Sequence, residues 1–163
     1  MLESKLLSLK LGNRKTVPKV MIYILNSTGD SVLAFTQKYS PEAGVQVPAG
    51  TIELDENPKE AAYREFAEET GLEIEIKLEL FAITYFDMYE YKDELHLRHW
   101  YIGFADNVLS KSNWDYVEQR EADESDIYYK YFWHPIKQSN DLIAGHGDLL
   151  NHARSIWKNK NEK

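Results

Sequence analysis

Hydrophobic positions along this chain fall into runs whose spacing changes from one segment to the next. Residues 17–25, VPKVMIYIL, and 31–37, SVLAFTQ, are dense in β-branched and aromatic side chains that suit a pleated, half-buried surface, so each predicts a strand. Ser27-Thr28-Gly29-Asp30 between them has turn composition and predicts a hairpin. A short extended piece at 45–47 then meets Pro48-Ala49-Gly50, a backbone break. The clearest helix signal follows. Asn57 suits the N-cap, Pro58 the first helical position, where its missing N–H costs nothing, and Glu60 a box-like third position. The pattern predicts a helix from 58 to about 69, stopped by Gly71 in a left-handed conformation.

Residues 73–80, EIEIKLEL, alternate strictly and predict a further strand. Two longer extended runs, 81–91 and 95–105, flank the polar turn Lys92-Asp93-Glu94 and predict a second hairpin. Residues 111–126 are acidic and aperiodic, which reads as a long exposed loop. A strand at 128–133 ends at Pro135. A closing helix over about 148–158 gathers Leu149, Leu150, Ala153, Ile156 and Trp157 on one face, leaving the tail KNKNEK frayed. Strands interleaved with two helices place the chain in the α/β class, as a mixed sheet covered on both faces, an α/β/α sandwich.

Length and composition narrow the picture. At 163 residues and 43% hydrophobic content, the chain fits one domain spanning 1–163. It has no cysteine, so oxygen or imidazole ligands must carry any metal chemistry. Residues 1–13 alternate apolar and charged positions without a continuous apolar run, so neither a secretory signal nor a membrane span is expected there, and a cytoplasmic location is. The formal net charge of −8 argues against sequence-independent binding of duplex nucleic acid. Small phosphorylated ligands remain, provided local cations or metal ions offset the acidity.

Along the helix, at about 100° per residue, Glu65, Glu68 and Glu69 fall within an arc of roughly 100°, with Ala62, Tyr63, Phe66 and Ala67 opposite. Arg64 lies one turn before Glu68. Two carboxylates about 4 Å apart repel by about 4 kcal/mol at an effective dielectric near 20, so the group either takes up a proton or recruits cations. Magnesium, with manganese as a substitute, answers that need, since it is held by a few carboxylates together with phosphate oxygens and water. For an arbitrary acidic helix a solvated face, with Arg64–Glu68 as a routine surface pair, is the commoner outcome. The flanking glycines and fixed spacing point the other way.

Gly50, Glu56, Arg64, Glu65, Phe66, Glu68, Glu69, Gly71 and Leu72 occupy the specified positions of the signature segment at 50–72, and the chain is identified by them as resembling the Nudix hydrolases. A chance match has a probability on the order of 10⁻⁹ per starting position. Phe66 departs from the aliphatic residue usual in that family, keeping the apolar role. The resemblance implies a Nudix α/β/α fold with the motif as a loop-helix-loop. It implies metal ligation by Glu65, Glu68, Glu69 and the Gly50 carbonyl, with Glu65 also a candidate for activating water. Arg64 resembles the orienting arginine and Glu56 the helix-bracing glutamate, with Gly71 structural. Some relatives take another carboxylate from a later loop, where Glu118, Glu121 and Glu124 stand, Glu118 being the one singled out.

The activity so implied is divalent-metal-dependent hydrolysis of a phosphoanhydride in a nucleoside diphosphate-linked or nucleoside triphosphate substrate, by in-line attack of water. The alternative is a noncatalytic nucleotide-sensing module of the same fold. Specificity must come from outside the motif. Arg98 or Lys92 could meet a phosphate, and Tyr85, Phe86, Tyr89, Trp100 or Trp114 could stack on a base, although aromatic residues at strand spacing usually pack. His96 and His99 are expected on opposite faces of one strand. The absence of proline between Pro58 and Pro135 counts against ADP-ribose, and Tyr89 stands near the position of a tyrosine typical of relatives acting on dinucleoside polyphosphates. A homodimer is left open.

Overall fold

The structure is a computed structural model, and it describes residues 14–73, 75–106, 109 and 111–162. The expectations for residues 1–13 lie outside the described residues. At the centre is β1 (Lys15–Leu25), whose residues from Val20 to Leu25 are at most 1% exposed. Such a strand must be covered on both faces, which its near-continuous apolar run anticipates. It runs parallel to β5 (Glu94–Phe104) in unbroken register from Lys15 opposite Glu94 to Leu25 opposite Phe104. On the far side of β5 lies β4 (Glu79–Asp87), antiparallel, closing the expected second hairpin.

The other edge of β1 is shared. Lys19, Val20 and Met21 pair antiparallel with the short β3 (Ala49–Thr51). Strand β2 (Ser31–Gln37) meets β1 only at Leu25 opposite Val32. The expected turn forms, with the Asn26 N–H donating to the Ser31 carbonyl, but the two strands then part. Phe35 instead exchanges backbone bonds with Gln46, and β2 pairs along its length with β7 (Ile127–Pro135), which carries β6 (Asn113–Glu118) outside it. The result is a seven-stranded mixed sheet ordered β4-β5-β1-β2-β7-β6, with β3 beside β1. Where β1 and β2 diverge, a wedge opens.

Helix α1 (Pro58–Thr70) covers one face and α2 (Leu150–Asn161) the other, giving the α/β/α arrangement. Alternation along β1 divides the core between them. Val20, Ile22 and Ile24 meet Ala61, Ala62 and Phe66 of α1, while Met21, Tyr23 and Leu25 meet Leu150 and Ala153 of α2. Among the described residues no helix is long and apolar enough to cross a membrane.

Three expectations need correction. Residues 75–78 keep the predicted alternation, with Ile76 and Leu78 buried, but the described part of 73–78 forms no strand. The Leu78 N–H donates to the Tyr63 hydroxyl rather than to a neighbouring strand. Burial alone produced the alternation that looked like pairing. Second, the segment at 111–126 contains β6, an edge strand. Trp114 and Tyr116 turn inward to the α1-side core while Asn113, Asp115 and Val117 face out. The outward set mixes polar Asn113 and Asp115 with apolar Val117, and the acidic run that follows at 118–126 obscured this two-residue period. Third, the closing helix begins at Leu150 and continues through Asn161, past the expected end. Lys158 and Lys160 in the last turn favour the negative end of the helix dipole, so residues 158–161 are helical where fraying was expected. On α1 the buried positions are Ala61, Ala62, Phe66 and Thr70, while Tyr63 and Ala67 stand exposed beside them.

Candidate active site

Local chemistry fixes α1 before any ligand does. The Asn57 side chain accepts from the Lys59 N–H at 2.9 Å and Pro58 occupies the first turn. At the other end Gly71, with φ of 65°, donates its N–H to the Ala67 carbonyl at 3.0 Å. Phe66 anchors the helix to β1, so Glu65, Glu68 and Glu69 are directed along the helix flank toward β3 and the wedge.

Arg64 organises this flank. Its Nε and Nη2 donate to the two oxygens of Glu56 at 2.7 and 2.9 Å, a bidentate pair, while Nη1 donates to Glu65 at 2.8 Å and to Glu68 at 3.2 Å. Nη2 also donates to the Thr51 carbonyl at 3.0 Å, tying the helix to the end of β3. Glu56 accepts as well from the Glu53 N–H, and the Arg64 hydrogen bond is the main reason its carboxyl is pulled down to about 2. The loop 53–56 is thereby clamped to the helix. Glu69 accepts from the Ala49 N–H at 3.0 Å.

Gly50 is required by crowding. A Cβ there would overlap the Glu65 carboxylate, so only glycine lets that side chain lie against β3. Burial raises the Glu65 carboxyl against the pull of Arg64, and burial raises Glu69 further, with Glu65 and Glu118 adding repulsion. These groups are held close together in a poorly solvated place. That arrangement resists full ionisation unless a cation joins it.

An open cleft of about 400 Å³ occupies the wedge. Gly50, Glu65, Glu68, Glu69 and Glu118 all border it, so the structure brings together every carboxylate singled out as a principal ligand and the glycine. Glu118 is steered there by Tyr129, whose hydroxyl donates to it at 2.7 Å. Hard carboxylate oxygens around a desolvated cradle fit a magnesium-like ion. Among the described residues, no three acidic or imidazole side chains are already drawn to metal-ligand spacing. Arg64 and the Ala49 N–H hold the carboxylates meanwhile.

Other residues marked by the sequence lie elsewhere. Arg98 is buried beside a second cavity across β1, whereas Tyr89 is 71% exposed on the β4–β5 turn, bordering neither cavity, and bonds to Glu90. Lys92 pairs with Glu94 on the same turn. Trp100 is core, Trp114 stacks on Tyr131, Phe86 lies under the Arg98 guanidinium and Tyr85 is half exposed. Glu121 and Glu124 stand farther out on the acidic loop, where Glu124 pairs with Arg120. His96 turns into the second cavity, and His99 is not among its lining. Sequence reasoning passed over Lys19, which donates to Thr51 Oγ1 at 2.9 Å and borders both cavities. A lone lysine inside an apolar strand was the available signal. Tyr129 left none, since aromatic residues crowd β7.

The sequence model of the NUDIX domain family matches residues 15–152. No curated protein matches the sequence. Among solved structures, the chain is similar to the MutT protein from Methanosarcina mazei, with a TM-score of 0.62 and 19% identity over 93% of this chain and 99% of that one. It is similar to the dihydroneopterin triphosphate pyrophosphohydrolase of E. coli, at 0.61 and 14% identity over 83% of this chain and 92% of that one. A C. elegans Ap4A hydrolase is similar at 0.59 and 15% identity, over 88% of this chain and 98% of that one. At these identities the likeness concerns the fold.

Proposed function

This chain belongs to the Nudix hydrolase family, and we propose that it hydrolyses a phosphoanhydride bond in a nucleoside triphosphate or a nucleoside diphosphate joined to another group, with a divalent metal as cofactor. The observation that carries the reading is the crowding of Glu65, Glu68 and Glu69 beside Gly50 in one cleft, with burial raising two of the three carboxyls. The names of two structural neighbours, a triphosphate pyrophosphohydrolase and an Ap4A hydrolase, agree with a substrate of this kind.

In this reading Glu65, Glu68, Glu69 and the Gly50 carbonyl hold magnesium or manganese, with Glu118 added from β6. The metal supplies charge neutralisation on the phosphate oxygens and acidifies water. Glu65 orients the attacking water and accepts its proton, Arg64 keeps the glutamates in register, and Glu56 braces Arg64. Lys19 faces the same cleft and supports the negative phosphate chain. No covalent protein intermediate is required.

The test is release of phosphate and nucleoside monophosphate from a nucleotide panel, with magnesium and with a chelator. A Glu65→Gln variant should keep its melting profile and lose about 10²–10⁴ of the turnover rate, the range for a positioned acid–base group. Near wild-type turnover in that variant removes Glu65 from the chemistry. Nucleotide binding without turnover in the wild type would make the domain a sensor.

A further inference from the structure

A second cavity of about 340 Å³ lies across β1 from the carboxylate cleft, and Lys19, Gln46 and Ala49 border both. The two spaces therefore adjoin at these three residues, the place where a molecule whose phosphoanhydride rests in the cleft would extend into this cavity. Apolar wall comes from Met21, Met88, Ile143 and Ala144, and the polar groups are mostly donors.

Arg98 is the central one. It is 1% exposed, its guanidinium lies 4.0 Å over the Phe86 ring, and among the described residues it closes no ion pair. Its bonds go to the Ala144 carbonyl at 2.8 Å and the Met88 sulfur at 3.7 Å, and Nε has no partner among the described residues. Asp148 contributes a favourable field without pairing, and burial still lowers the guanidinium to about 10, so it remains charged at neutral pH. A buried cation without an anion is a costly arrangement unless something supplies one. Ala144 has φ of 50° and Gly145 φ of 71°, a strained turn that keeps the Ala144 carbonyl on Arg98.

The imidazoles fix the sign of the cavity. His146 Nδ1 accepts from the buried Val47 N–H at 3.1 Å, which places the ring proton on Nε2 and makes it a donor. Burial pushes His146 down to about 3, with Arg98 and Lys19 adding to the effect, and burial with Lys19 pushes His96 down to about 4. Both rings are neutral at physiological pH. The positive charge at the wall is that of Arg98 and Lys19, with Glu42 the single acidic side chain among the lining residues.

We propose that this cavity receives a compact oxyanion, a phosphate or a carboxylate, carried by the substrate's group beyond the scissile phosphoanhydride, with Arg98 supplying the charge and His146 a donor. This rests on the reading of the carboxylate cleft given above. It narrows the substrate to a nucleotide linked to an acidic group rather than to a neutral one.

Binding can be tested without turnover, in metal-free protein, by following backbone amide resonances of Met88, Ala144 and His146. Inorganic phosphate, acetate, adenosine and ionic-strength-matched chloride serve as probes. A saturable shift with phosphate or acetate, absent with chloride, is expected, and the stronger of the two identifies the oxyanion. Arg98→Met should weaken that binding by at least about tenfold and Arg98→Lys by less. Should Arg98→Met fail to fold, the wild-type titration and Arg98→Lys still decide. Oxyanion shifts no larger than those of chloride, adenosine shifting these amides where neither oxyanion does, or oxyanion binding by folded Arg98→Met at wild-type strength would each overturn the proposal. Hydrolysis with no oxyanion shift rejects this cavity alone, whereas oxyanion shifts in a protein that hydrolyses nothing reject the activity alone.

Discussion

Replacing Gly50 by alanine tests whether close packing of β3 against α1 sets the site. The added Cβ would overlap the Glu65 carboxylate, while the Gly50 backbone is not one that a side chain strains. Glu65 must therefore rotate, since the strand is held by its pairing to β1. Rotation breaks the 2.8 Å bond from Arg64 Nη1, and losing a hydrogen bond to a charged partner costs about 1.5–3 kcal/mol. The alanine also restricts the unfolded chain, which offsets about 0.4–1 kcal/mol. The net loss is about 0.5–2.6 kcal/mol, a fall of about 1–10 °C in melting temperature for a chain of this size. Activity should suffer more. A displacement of about 1 Å at a reacting group costs about 10²-fold in rate. Thermal melts and initial rates with magnesium, compared between wild type and Gly50→Ala, measure both. A variant that melts and turns over as the wild type does would refute the argument, because the carboxylate would then tolerate the methyl group.

Other expectations follow from the same geometry. Gly71→Ala places a side chain at φ of 65° and against the Tyr116 ring, so urea unfolding should show a loss of at least about 1–2 kcal/mol, the cost of the left-handed conformation. Tyr129→Phe frees Glu118 from its 2.7 Å donor, and, if Glu118 joins the metal, manganese affinity by calorimetry should change by about 10–100-fold, the scale of an outer-shell partner. His146 is held down to about 3 when folded, so between that value and its ordinary 6.5 the unfolded chain binds more protons. Its contribution is full above 6.5 and is lost as pH falls toward 3, so His146→Gln should flatten the decline in melting temperature between pH 7 and 4. Glu56 has the usual carboxylate sign. With its carboxyl at about 2, its contribution to stability is present above its ordinary 4.5 and is lost as pH falls through 2, so Glu56→Gln should remove part of the acid transition below pH 4.5.

The local elements of the site were legible because short-range forces make them. Asn57, Pro58 and Gly71 specify the ends of α1 through groups within a few residues, and the structure places both ends within a residue of expectation. The helical period likewise puts Glu65, Glu68 and Glu69 on one flank whatever the rest of the chain does. Alternation was less dependable. It reports which side chains are buried, and both residues 75–78 and β6 show burial separating from visible strand pattern, one without pairing and the other with pairing masked by a mixed outward face and the acidic run after it.

Long-range placement was decided by the fold. No spacing along the chain indicates that β1 and β2 part after Leu25 and Val32, yet that divergence opens the cleft. Nor does it bring Lys19, Arg98 and His146 to one cavity, since these lie on β1, β5 and the segment before α2. A periodic pattern records which face of an element is dry. Which elements share that dryness, and which charges are left unpaired within it, depends on contacts between residues far apart in the chain, and only the packed sheet determines those.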